Sequence, residues 1–203
     1  GRCSALVSAD FTNCTFAKCI KANAMFKSCT SLTSVTFGNT LNFKALEEAG
    51  YNDNFDGMFY GCSLLTSVSG LANQQFNSLT TMHDMFRLCS ALTSLELQSA
   101  TFANVTTAQG AFWQSGLQTL RLDSATFTKC TNIRYFVLQT KLTSLSMPEA
   151  TFDLLQDMYY SLAVGNTLQS ISIPKGTFAS VTDSRLAFNN NTQLSSMTLL
   201  ANS

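Results

Sequence analysis

Charge is what this sequence has least of. Asp, Glu, Lys and Arg together make up 12% of its 203 residues, about half the share of an ordinary soluble domain. The two signs balance at 12 each, so bulk electrostatics draws neither nucleic acid nor an anionic membrane to the chain. Proline occurs twice, and histidine and tryptophan once each. A single imidazole leaves little room for histidine-rich metal chemistry. No apolar run approaches the ~20 residues that cross a bilayer, so no transmembrane segment is expected. The basic and then apolar opening of a signal peptide is also missing. The chain starts on Gly1 where an initiator Met is usual, which reads as a trimmed start from which an export signal has been removed.

What is plentiful is hydroxyl and hydrocarbon. Ser and Thr account for roughly a quarter of the chain and apolar residues for 45%, so disorder is excluded and hydroxyls are expected to solubilise the surface. The apolar residues recur in phase. Segments beginning at Leu6, Leu32, Leu65, Leu92, Leu117, Leu142, Leu168 and Leu194 read Leu-x-x-apolar-x-apolar, with LTSVTF at 32 and LQSISI at 168 as examples. By subtraction, successive anchors lie 26, 33, 27, 25, 25, 26 and 26 residues apart. A second column runs Ala9, Val35, Val68, Leu95, Leu120, Leu145, Ile171 and Met197. A third runs Phe11, Phe37, Gly70, Leu97, Leu122, Met147, Ile173 and Leu199, with one gap at the glycine. Alternation with period two over so few residues marks a short half-buried strand, and parallel strands need a crossover of a dozen or more residues.

The crossovers carry two phenylalanines ten apart, as in TFANVTTAQGAF at 101–112, with an apolar slot three residues after the first. That spacing suggests short helices or helical turns packing back on the sheet. The fold class expected is therefore α/β: a right-handed leucine-rich-repeat solenoid of about eight repeats, with a parallel sheet on one side and short helices or helical turns on the other. It forms a single domain over 1–203, with an insertion at 42–59 in the second repeat.

The stretches MFKSCTSLTSV at 25, MFYGCSLLTSV at 58 and MFRLCSALTSL at 85 resemble the BspA-type leucine-rich repeat proteins. Nearly the whole chain follows the pattern, although repeats five to eight lose the cysteine. The resemblance implies a secreted or cell-surface, adhesin-like interaction module for a protein, extracellular matrix or glycan ligand. It brings no catalytic residues and no cofactor. A structural spacer in a larger surface protein is the alternative, and a glycan-acting enzyme using Glu47, Asp53 or Asp56 a weaker one.

Seven cysteines raise the question of disulfides. Cys3, Cys29, Cys62 and Cys89 each stand three residues before an anchor leucine, and Cys19 and Cys130 occupy the apolar crossover slot, so six are expected to be buried thiols rather than bridges or zinc ligands. His83 shares its phase with Asn23, Gln109, Arg134, Tyr159 and Arg185 and is expected to face water. NDNFDG at 52–57 has alternating oxygen donors but Ser63 where a calcium loop needs glutamate. No metal site is expected.

Candidate binding residues fall in two places. Rows between the buried strand columns point outward, and include Ser34, Thr36, Ser67, Ser69, Ser94, Glu96, Thr119 and Arg121. Glu96 and Arg121 are expected to pair across neighbouring strands. Tyr51, Phe55 and Tyr60, in or beside the insertion, offer aromatic contact. With no evident capping helix at either end, the expectation is that either the natural protein is longer or the exposed edge strands associate end to end with another chain.

Overall fold

The strands form where period-two alternation predicts them. A computed structural model describes residues 3–14, 16, 22–38, 57–74, 76 and 79–199. Among these, eight short strands run in parallel: β1 (Ser8–Phe11), β2 (Ser34–Phe37), β3 (Ser67–Ser69), β4 (Ser94–Glu96), β5 (Thr119–Arg121), β6 (Ser144–Ser146), β7 (Ser170–Ile173) and β8 (Ser196–Leu199). They pair in sequence order, β1-β2-β3, β4-β5 and β6-β7-β8. Register is as the phase requires, with Val35 opposite Val68, Leu95 opposite Leu120 and Ile171 opposite Met197. The chain is thus a parallel β-solenoid.

The anchors Leu32, Leu65, Leu92, Leu117, Leu142 and Leu168 are fully buried and join one apolar cluster running from Ala22 to Ala187. Gly70 is the gap in the third column for a physical reason. Its φ is +81°, and a side chain there would run into the Phe37 carbonyl of the preceding strand.

No helix occurs among the described residues, which corrects the α/β expectation of helices on the return side. Two phenylalanine ladders lie there instead. Phe59, Phe86 and Phe112 stack at 5.0 and 5.9 Å between centroids, and Phe102, Phe127, Phe152 and Phe178 at 5.5 to 5.7 Å. The return side therefore repeats at nearly the ~4.8 Å spacing of the strands, whereas a helix is ~10–12 Å wide and would force the rungs apart.

The backbone solves this by alternation. Met25 N–H closes a tight turn onto Ala22 and Cys29 N–H onto Phe26, while Phe26 and Ser28 N–H donate sideways to Met58 and Tyr60 of the next rung. The same alternation recurs at Phe59, Phe86 and Phe112. It requires a left-handed residue two positions either side of the phenylalanine: Asp84 and Leu88 flank Phe86, and Gly110 and Gln114 flank Phe112. Isolated parallel bridges join Thr81, Thr107, Asn132, Asp157 and Asp183 as a further ladder.

Hydroxyls do more than solubilise. Thr66 donates to the Thr33 carbonyl of the previous rung, Thr106 to Thr80, Thr131 to Thr106 and Thr177 to Thr151. Each of these carbonyls also accepts the backbone N–H of the same threonine, so the hydroxyl adds a second bond between rungs at the carbonyl's other lone pair.

The cysteine column is buried at Cys29, Cys62 and Cys89, and all three thiols are free. Cys62 Sγ donates to the Phe26 carbonyl and Cys89 Sγ to that of Phe59. Burial pushes the Cys62 thiol up to about 12 and raises Cys89 as well. Cys130, in its apolar slot, is likewise buried and free. Cys3 departs from the expected core column: it is exposed, because no described rung stacks on its outer side. Cys14 is exposed and free, and Cys19 lies outside the described residues.

Candidate functional site

The strand face assembles the hydroxyl rows as their alternation requires. Ser34 lies opposite Ser67, Thr36 opposite Ser69, Ser94 opposite Thr119 and Glu96 opposite Arg121. Ser67, Ser69, Ser94, Glu96, Thr119 and Arg121 are exposed, and Ser34 and Thr36 half-buried. Arg121 comes within 3.7 Å of Glu96 but bonds more closely to Asp123, at 2.9 Å. Thr119 borders a shallow recess of about 420 Å³ with Lys141 and Thr143, where β5 and β6 are not paired. The face is flat, small in its side chains and free of aromatic anchors among the described residues.

Tyr60 is not on that face. Tyr51 and Phe55, with most of the 42–59 segment and its carboxylates Glu47, Asp53 and Asp56, lie outside the described residues. Tyr60 stands on the return side with Lys27 Nζ 5.0 Å and the Arg87 guanidinium 5.4 Å from its ring. It opens a ridge that the sequence reading did not single out. Arg87 lies 3.7 Å over the Trp113 ring, Trp113 stacks on Tyr135 at 4.8 Å, and Tyr135 meets Tyr159 edge-on at 5.7 Å. Arg134 and Arg185 lie 4.8 and 5.4 Å from the Tyr159 ring.

The lateral backbone bonds explain why these side chains line up. Gly61, Leu88, Gln114 and Gln139 N–H groups donate to the carbonyls of Arg87, Trp113, Leu138 and Ala163, so those four residues form one column down the return side. Each arginine also has an acid: Arg87 to Asp84 at 3.1 Å, Arg134 to Asp157 at 3.0 Å and Arg185 to Asp183 at 2.8 Å. Hydrogen bonds from Arg185 hold the Asp183 carboxyl down at about 2. His83, partly exposed as expected, comes within 3.8 Å of Asp84.

The ridge ends in a cleft of about 620 Å³. Trp113, Tyr135 and Tyr160 line it, together with Gln139, Asn166, Asn189 and Asn190 and the apolar Leu138, Ala163 and Val164. It exists because the column shrinks, from Arg87 and Trp113 to Leu138 and then Ala163.

Left-handed backbone recurs along the whole return side, and four of its residues line this cleft. Two positions before the phenylalanine-ladder position, rungs carry Gly57 and Gly110, suited to positive φ, but also Ala24, Asp84, Tyr135 and Tyr160, the tyrosines at +57° and +51°. Gln139 and Asn190 occupy the second left-handed column, at +56° and +61°. Bulky residues in this region cost of order 1–3 kcal/mol each.

One signal for the ridge was legible in the sequence. All five tyrosines and the only tryptophan fall between the strands, none in an outward strand row. Comparison with protein-family models, curated proteins and solved structures finds no match to this chain.

Proposed function

We propose that the protein is a non-catalytic interaction module, secreted or displayed at a cell surface, that engages its partner on the return-side ridge. A protein, matrix component or glycan is the class of partner. The observation that carries this reading is the run of Arg87, Trp113, Tyr135 and Tyr159 in mutual contact, because tightly binding surfaces concentrate tryptophan, tyrosine and arginine. Pairing of each arginine with an aspartate leaves the ridge near neutral and fixes the guanidinium planes in advance. The same pairing holds those carboxylates as counter-ions, which favours binding over acid–base chemistry. The leucine-rich-repeat identity, a right-handed winding and kinship with BspA-type surface proteins belong to this proposal and rest on the repeated MFxxCxxLTS phase. Self-association along the stack is part of it too, supported by Met197 of β8, which is 50% exposed.

The test is binding to arrays of surface proteins, matrix components and glycans, compared among wild type, Trp113→Ala and the strand-face pair Ser94→Lys and Thr119→Lys. Trp113→Ala is expected to weaken capture roughly thirtyfold, as loss of an anchor does. Capture that survives Trp113→Ala and disappears with the two lysines would move the site to the strand face.

A further inference from the structure

We infer that the cleft at the end of the ridge is a subsite for an uncharged saccharide. This rests on the binding-module reading and names the ligand of its most enclosed part. Three features of the cleft point the same way.

The first is neutrality. No Lys, Arg, Asp or Glu lines the cleft, although charged side chains stand along the ridge beside it. A phosphate, sulfate or carboxylate ligand finds no counter-charge there.

The second is the shape of the apolar surface. Trp113 is held between the Arg87 guanidinium and the Tyr135 ring, so it forms a fixed wall. Tyr160 touches Tyr159 edge-on at 4.8 Å and lies 6.3 Å from Tyr135, and it remains half-exposed. A tyrosine ring presented this way accepts the C–H face of a pyranose, whose axial hydrogens form an apolar patch the size of the ring. The third is the polar rim. Gln139 Oε1 accepts from Gln114 and Asn166 Oδ1 from Thr192, and both residues line the cleft. Among the described residues, the Asn189 and Asn190 amides have no side-chain hydrogen-bond partner and sit at the same rim. A carboxamide offers donors and an acceptor in one plane, matching neighbouring hydroxyls that each donate and accept. A cleft of about 620 Å³ lies within the roughly 300–1,000 Å³ range of small-ligand sites.

The backbone leaves the side chains at these positions free to vary. Tyr135, Tyr160, Gln139 and Asn190 all hold positive φ. Other rungs hold the same conformation with Ala24, Gly57, Asp84 and Gly110 before the ladder and Ser28, Gly61, Leu88 and Gln114 after it, so the fold asks for positive φ there but not for these rings and amides.

The experiment is calorimetric titration and saturation-transfer NMR on the whole chain. Neutral gluco-, galacto- and manno-oligosaccharides are the probes, with sulfated and sialylated oligosaccharides and unstructured peptides as comparisons. Tyr160→Ala removes the ring and Ala163→Arg fills the cleft with a side chain the same column already carries at Arg87. Tyr160→Gly, which suits positive φ, serves as the folding-safe variant, and circular dichroism verifies each fold. A neutral oligosaccharide is expected to bind, with saturation on its ring C–H protons, and to lose roughly tenfold or more affinity in all three variants. Binding unchanged in Ala163→Arg overturns the assignment. So does binding confined to anionic sugars, or to peptides. If no sugar binds while protein capture still falls with Trp113→Ala, the saccharide inference fails and the binding module stands. If capture is indifferent to Trp113 as well, both fail.

Discussion

The two long faces of this solenoid obey opposite rules. On the strand face, period-two alternation fixes every outward position, and small hydroxyls fill most of them from Ser67 to Ser146, with Glu96 and Arg121 as the exceptions. On the return side, tight turns and lateral bonds secure the backbone, so one column runs from Arg87 through Trp113 and Leu138 to Ala163. Variation is permitted where the side chain is not the structural element. A recognition surface needs such variation, and among the described residues the return side has more of it and carries the ridge of aromatic and arginine contacts.

The largest blow to this contrast would come through the core that both faces share. Phe86→Ala deletes a fully buried ring from the middle of its ladder, and a stability loss of about 3–5 kcal/mol is expected by urea denaturation. Unfolding of the return side alone, with strand-side amides still protected from hydrogen exchange, would show that the faces are held independently.

The left-handed columns give the next effect. Gly110→Ala places a side chain at φ +62° against Asp84 and is expected to cost about 1–2 kcal/mol. Leu186 holds +58° while 45% exposed, so Leu186→Gly should raise stability by about 0.5–1 kcal/mol. Loss of stability on Leu186→Gly in the same denaturation assay would mean that the return path does not strain its residues.

Thiols report on the interior by pH. The Cys62 thiol is raised in the folded chain to about 12, so between its ordinary pKa and that value the unfolded chain has lost a proton that the folded chain keeps. Stability from this group is therefore full below pH ~9 and falls as pH rises toward 12. Melting temperature followed over that range should decline, and Cys62→Ala should flatten part of the slope. Under native conditions a thiol reagent should modify Cys3 and Cys14 quickly and leave Cys29, Cys62, Cys89 and Cys130 unmodified. The smallest effect belongs to the strand face. Glu96→Gln removes an exposed pair with Arg121 and should change stability by less than about 1 kcal/mol, vanishing in molar salt. A larger change would show that the hydroxyl face carries more organisation than its flatness suggests.

The amino-acid order determined the number of strands, their phase, and which side chains face in. It did so because alternation and a recurrence near 26 residues are local properties, readable wherever Leu, Val and Ser fall. It did not determine how the chain returns, because turns at Asp84, Gly110 and Tyr135 are fixed by hydrogen bonds to another rung. The spacing of the phenylalanine ladders, too close for a helix, is likewise a property of the stack. The cleft has the same origin. Trp113 and Ala163 are 50 residues apart, and only lateral register between rungs makes the second a hollow beside the first.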